Sequence, residues 1–83
     1  MRFVIGKLTD AELEMLKSNQ PIITKMLLIP EDHRLFHYKE GDEIEVETQE
    51  GNRIWTTIRN MEIVENDERV IIIFTLAPTQ RKE

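Results

Sequence analysis

Two short segments with matching alternation constrain the fold of this 83-residue chain more than any other feature. Residues 43–48 alternate acidic and apolar side chains, and residues 53–58 follow them after a turn that contains a glycine. A two-residue alternation is typical of a β-strand with one buried and one exposed face. The two segments therefore predict a β-hairpin with one apolar face on the core and one charged face.

The turn of this hairpin sets its register. A three-residue connection that ends at Gly51, with the glycine in the left-handed conformation, is a common hairpin loop. It places Glu47 opposite Arg53 and makes the two apolar faces coincide, whereas a two-residue loop would put them out of phase. Under this register Trp55 lies beside Glu45 on the charged face.

The N-terminal part carries the signal for one helix. Thr9 and Glu12 have the spacing of a capping box, in which each side chain accepts a hydrogen bond from the other residue's backbone amide. Pro21 prevents the helix from continuing far beyond that segment. We predict a helix over residues 10–18. Its predicted core-facing residues are Ala11, Met15 and Leu16.

Other apolar segments predict further strands. Residues 3–5 predict a short first strand that ends near Gly6, and the apolar residues of 22–29 predict a second. Residues 70–76 are almost continuously apolar, as in a central strand covered on both faces. The apolar phase changes near residues 59–60, which predicts a β-bulge where the strand bends.

These elements predict an α+β fold: a small, mostly antiparallel, partly closed β-barrel of about five strands with one N-terminal helix. The length fits a single domain over residues 1–77, followed by a frayed C-terminal tail over residues 78–83. The sequence contains no cysteine, which excludes disulfides and thiolate ligands within it. Its longest apolar segment is far below the roughly 20 residues needed to span a bilayer, so we expect a cytoplasmic protein without membrane contact.

The charge balance bears on the class of partner. The chain has 16 acidic and 11 basic residues, a net charge of −5. This argues against strong non-specific nucleic-acid binding but allows a local basic patch. Glu43, Glu45 and Glu47 share the outer face of the predicted hairpin. This acidic face predicts either a solvated strand that resists aggregation or a docking site for a protein partner.

Trp55 is the sharpest candidate for ligand binding. It is the single tryptophan of the chain, with Arg53 two residues before it and Arg59 four residues after it. An indole can stack on a base while guanidinium groups contact phosphate, and it can equally anchor a protein interface. The alternative is that the N-terminal strand, the helix or the tail covers the ring.

The segment 30–41 predicts a loop that is longer than most connections and carries both histidines. His33 and His37 are four residues apart, a spacing that on a helix would bring both imidazoles to one face for a metal, with a carboxylate from residue 31 or 32. The polar composition and the proline at position 30 do not favour a helix through this segment. We therefore predict no metal site and no cofactor.

The packing of this loop follows from its apolar residues. We expect Leu35 and Phe36 to pack on the core. The polar side chains on either side of this pair would then remain solvated and available to a ligand. These candidate ligand-binding residues are His33, Arg34 and His37.

The order of elements, with Gly41-Asp42 opening the strand over residues 43–48, resembles the ASCH branch of the PUA-like barrels. The resemblance covers about residues 8–76 and implies a barrel that binds RNA or a nucleotide. The family typically carries a run with a glycine and an arginine after its first helix, and residues 18–25 lack both. The resemblance therefore implies the fold and no catalytic residue.

Two classes of function follow. The first is a small intracellular binding module of PUA-like type for RNA or a nucleotide, with Trp55 and the arginines as its site. The alternative is a protein–protein interaction or accessory domain that uses the acidic face. An enzymatic role ranks behind both, because the sequence contains no nucleophile elbow, phosphate loop or dinucleotide-binding motif.

Overall fold

The computed structural model describes residues 2–79 and contains five strands and two short helices. The elements in chain order are β1 (Val4–Leu8), α1 (Asp10–Lys17), β2 (Ile22–Leu28), α2 (Pro30–His33), β3 (Glu43–Thr48), β4 (Arg53–Glu65) and β5 (Val70–Pro78). The predicted α+β class and the N-terminal helix are confirmed. The one-turn helix α2 lies where the sequence predicted only loop.

The strands form one sheet that curls into a nearly closed barrel, as predicted. Their order is β1-β3-β4-β5-β2. β1 pairs in parallel with β3, and the other neighbouring strands pair antiparallel. β1 and β2 are the two edges, and residues 4–6 and 25–27 line a groove of about 330 Å³ between them.

The register of the central hairpin is confirmed. Glu47 lies opposite Arg53, and Val46 lies opposite Ile54. Gly51 has a φ of 88°, the left-handed conformation that the three-residue loop requires. Because Val46 has no exposed surface, the apolar face of the hairpin does lie on the core.

The predicted bulge lies between Ile58 and Asn60, where the register of β4 against β5 shifts by one residue. Ile58 is buried before the bulge, and Met61 packs against the core after it. These two residues could not share a face in a regular strand. The bulge therefore lets both halves of β4 contribute to the same core.

Strand β5 forms the centre of the core. Its alternate residues are buried and come from positions 70, 72, 74 and 76. The residues between them, at positions 71, 73 and 75, are only partly buried. The predicted full cover of both faces is thus wrong for the outer face.

The beginning of α1 follows the predicted capping box. The Glu12 amide donates to the Thr9 hydroxyl at 3.2 Å, and the Thr9 amide donates to the Glu12 carboxylate at 2.9 Å. Asn19 follows the helix with a φ of 60°, a left-handed conformation that stops it.

The buried side of α1 is narrower than predicted. Leu16 is buried, and Leu13 is partly buried three residues before it. Ala11 and Met15 are exposed, so their predicted core positions are wrong. A helix of two turns rests on the barrel along one stripe, and these two residues lie outside it.

Two boundaries also differ from expectation. β1 continues past Gly6 to Leu8, because its pairing with β3 resumes after an irregularity. β5 includes Pro78, and the hydroxyls of Thr79 and Thr57 are hydrogen-bonded at 2.7 Å. Residues 78 and 79, predicted as part of a frayed tail, therefore make these contacts, and residues 80–83 lie outside the described part of the chain.

Candidate binding site

Trp55 lies on the outer side of β4 and is partly buried. The guanidinium of Arg2 lies 5.3 Å from the centroid of its ring. The same guanidinium pairs with the carboxylate of Glu45. A cation is attracted to the electron-rich face of an indole, so the contact holds the ring in place. Among residues 2–79, Arg2, which lies just before the N-terminal strand, therefore covers part of the Trp55 ring.

The acidic face of β3 is not continuous. Glu45 is only 8% exposed, which contradicts the expected solvated position. β3 lies between two strands, so Val4 and Trp55 flank Glu45 on either side, and the guanidinium described above lies against it. Glu43 is exposed, and Glu47 is partly buried.

A small apolar groove of about 190 Å³ lies between α1 and the adjoining parts of β4 and β5. Leu13, Leu16 and Lys17 line it from the helix, and Trp55 and Pro78 line it from the sheet. Apolar walls with one cation suit a flat ring that carries an anionic group. Lys17 belongs to no sequence motif, and its place beside Leu13 follows from their four-residue helical spacing.

A wider groove of about 570 Å³ adjoins the first one, since Pro78 lines both. Arg59, the residue at the bulge, lines this wider groove together with Asn19 and Thr75. Bulges commonly redirect a side chain in this way. The structure therefore brings Arg59 and Trp55 to neighbouring grooves.

Arg53 occupies a different position. It is exposed at the beginning of β4, opposite Glu47 on β3. Arg59 is six positions further along β4, which corresponds to about 20 Å along a strand. The two arginines therefore cannot hold the same phosphate group.

The two histidines are not brought together. His33 ends α2, and its Nδ1 lies 3.9 Å from a carboxylate oxygen of Glu65. His37 is exposed and lines a separate groove of about 380 Å³ with Leu35 and Tyr38. Within residues 2–79, no group of three or more histidine and acidic side chains could hold a metal ion. Arg34 is exposed.

Aromatic packing fixes the loop that carries His37. Phe36 is buried, as predicted, and its ring centroid lies 5.2 Å from that of Phe3 and 5.0 Å from that of Tyr38. Leu35 is 49% exposed, so its predicted packing on the core is wrong. Phe36 and Tyr38 anchor the loop instead.

A comparison of the chain with protein-family models, curated proteins and solved structures finds no match. The resemblance to PUA-like barrels therefore stays a prediction. Between residues 2 and 79, no helix has the length and apolar character needed to cross a membrane.

Proposed function

We propose that this protein is a small binding module for a nucleotide or for the phosphorylated end of an RNA strand. The observation that carries the proposal is the pair of adjoining grooves at Pro78. One is lined by Trp55 and Lys17, and the other is lined by Arg59.

The chemistry of the grooves divides the ligand into two parts. A base would enter the narrow apolar groove against Trp55, where stacking on an aromatic side chain contributes about 1–3 kcal/mol. The phosphates would then meet Lys17 or Arg59. Because Arg2 already holds the indole ring, little ordering of this side chain would accompany binding.

The overall charge limits the size of the ligand. A net charge of −5 opposes the approach of a long polyanion. Two local cations, Lys17 and Arg59, can offset this for a ligand with one or two phosphates. The proposal therefore favours a mononucleotide or a short strand end over long RNA.

Titration of the full chain tests this proposal directly, because Trp55 is its single source of indole fluorescence and of an indole N–H signal in NMR spectra. The probes are adenosine diphosphate and a 5′-phosphorylated oligouridine of five nucleotides. We expect saturable changes in both signals, weakened by added salt. Comparison of the two probes distinguishes a nucleotide site from an RNA-end site.

Variants localise the binding. Arg59→Gln and Lys17→Gln should each raise the dissociation constant about tenfold, as expected for loss of a charge-assisted contact. Arg53→Gln is the matched control, since it removes an exposed arginine of the same strand and should change the constant less than twofold. Unchanged fluorescence and NMR spectra at millimolar concentrations of both probes would refute the proposal.

A second candidate function has one specific observation in its favour. Exposed Leu35 and Glu43 line the groove that also contains His37 and Asp42. An apolar residue beside carboxylates suits a protein partner that presents a basic and an apolar side chain. We propose Glu43→Lys with Glu47→Lys as the test, which leaves the Arg2–Glu45 pair intact. An unchanged set of bound proteins, with the fold preserved, would count against this candidate.

A further inference from the structure

Strands β2, β5 and β4 present an outer apolar face, formed by Ile23, Leu27, Val64, Ile71 and Ile73. Ile23 is 70% exposed, Leu27 is 54% exposed and Val64 is 52% exposed. Leu27 lies opposite Ile71, and Ile71 lies opposite Val64, so these three form a row across three strands. A contiguous apolar surface of this kind typically marks an interaction site.

A second row gives this face a charge pattern. Lys25 lies opposite Ile73, and Ile73 lies opposite Glu62. Both charged residues are exposed. Because neighbouring strands are about 4.8 Å apart, the Cα atoms of the two charged residues are separated by about 10 Å. The face therefore has a cation on one side, an anion on the other and an isoleucine between them.

We propose that the outer apolar face is the interface of a homodimer, with the two-fold axis running parallel to β5 and passing over Ile73. Rotation about this axis places the β2 side of one copy over the β4 side of the second copy. Lys25 of each copy then meets Glu62 of the second copy, twice in the dimer, as an interface between identical surfaces requires.

The charges select this arrangement over its main alternative. A second possible two-fold axis also lies midway between the two sheets but runs perpendicular to β5. It would place Lys25 against Lys25 and Glu62 against Glu62. Like charges at these positions would oppose association. With the proposed axis, the two sheets pack face to face at about 10 Å, and Leu27, Val64 and Ile73 leave water.

The apolar and the charged residues of this face have different roles, and these can be tested separately. The apolar residues supply the affinity, while charge pairs across an interface mainly decide orientation and partner choice. Reversal of a single charge therefore creates two repulsive contacts in the dimer. Reversal of the complementary charge in the second copy removes both.

The experiment is sedimentation equilibrium of the full chain from micromolar to millimolar concentration, at low ionic strength. We expect a concentration-dependent species of twice the chain mass. Lys25→Glu and Glu62→Lys should each raise the dimer dissociation constant at least tenfold. A one-to-one mixture of these two variants should regain the wild-type constant, because the carboxylates of one chain face the ammonium groups of the other.

Two further variants complete the test. Leu27→Lys should abolish the dimer with unchanged circular dichroism, since the side chain is exposed in the single chain. Glu68→Lys makes the same charge change as Glu62→Lys, but in the exposed turn after β4. It should leave the dimer dissociation constant unaltered. A monomer at every concentration would overturn the proposal. A dimer that tolerates both charge reversals, or a mixture that does not recover, would overturn it equally.

Discussion

The guanidinium of Arg2 lies 5.3 Å from the centroid of the Trp55 ring. It pairs at the same time with the nearly buried carboxylate of Glu45. The contact connects the segment before β1 with the beginning of β4 across β3. One exposed arginine therefore links the segment before β1 to two strands and neutralises a charge that would otherwise be buried alone.

We predict that Arg2→Ala lowers the free energy of unfolding by about 1–3 kcal/mol, because it removes the cation from a poorly solvated carboxylate. Urea denaturation measures the change. Adding Glu45→Gln to this variant should recover part of the loss, because the neutral amide has no charge to compensate. Equal stability of Arg2→Ala and the wild type would contradict the assigned role of the pair.

The same substitution should change the environment of Trp55. Without the guanidinium against it, the indole becomes more accessible to water, and its emission maximum moves to longer wavelength. Acrylamide quenching measures this accessibility with a neutral probe, which avoids electrostatic effects of the substitution. Arg53→Ala is the control on the same strand and should leave the quenching constant within error.

We predict that Thr9→Ala lowers the free energy of unfolding by about 1 kcal/mol, because the Glu12 amide loses its acceptor. Thermal and urea unfolding both report this change. Thr9→Ser retains the hydroxyl and should recover most of the stability. If the alanine and serine variants were equally stable, the capping hydrogen bond would have no energetic role.

Gly51 provides a test of backbone conformation. Its φ of 88° disfavours any residue with a Cβ atom, although no atom lies within 4 Å of the position that a Cβ would occupy. Gly51→Ala should therefore lower the free energy of unfolding by about 1 kcal/mol through the backbone alone. Gly51→Asn should lower it less, since asparagine tolerates the left-handed region. If Gly51→Ala and Gly51→Asn lowered the free energy of unfolding equally, the backbone conformation would not be the cause of the loss.

Local signals predicted the parts of the fold that local chemistry determines. The alternation around Val46 gave the hairpin register, Thr9 and Glu12 gave the beginning of α1, and the phase change near Asn60 gave the bulge. Each of these depends on residues close together in the chain. Interactions within a few residues of the chain determine each feature, so the sequence alone could reveal them.

The burial of Glu45 could not be predicted in the same way. It depends on the parallel pairing of β1 with β3, between strands about forty residues apart in the chain. The sequence around Val4 contains no alternation that would identify this partner. The same limit applies to the grooves, where Lys17 and Pro78 meet only through tertiary packing.

The bulge at Arg59 has a consequence for how this chain tolerates insertions and deletions. The extra residue reverses which side chains of β4 face inward from that point onward. Loss of a single residue there would turn Met61 outward and bring its polar neighbours inward. Insertions and deletions should therefore be tolerated in the exposed turn at residues 66–69. The number of residues between Ile58 and Met61 should stay constant.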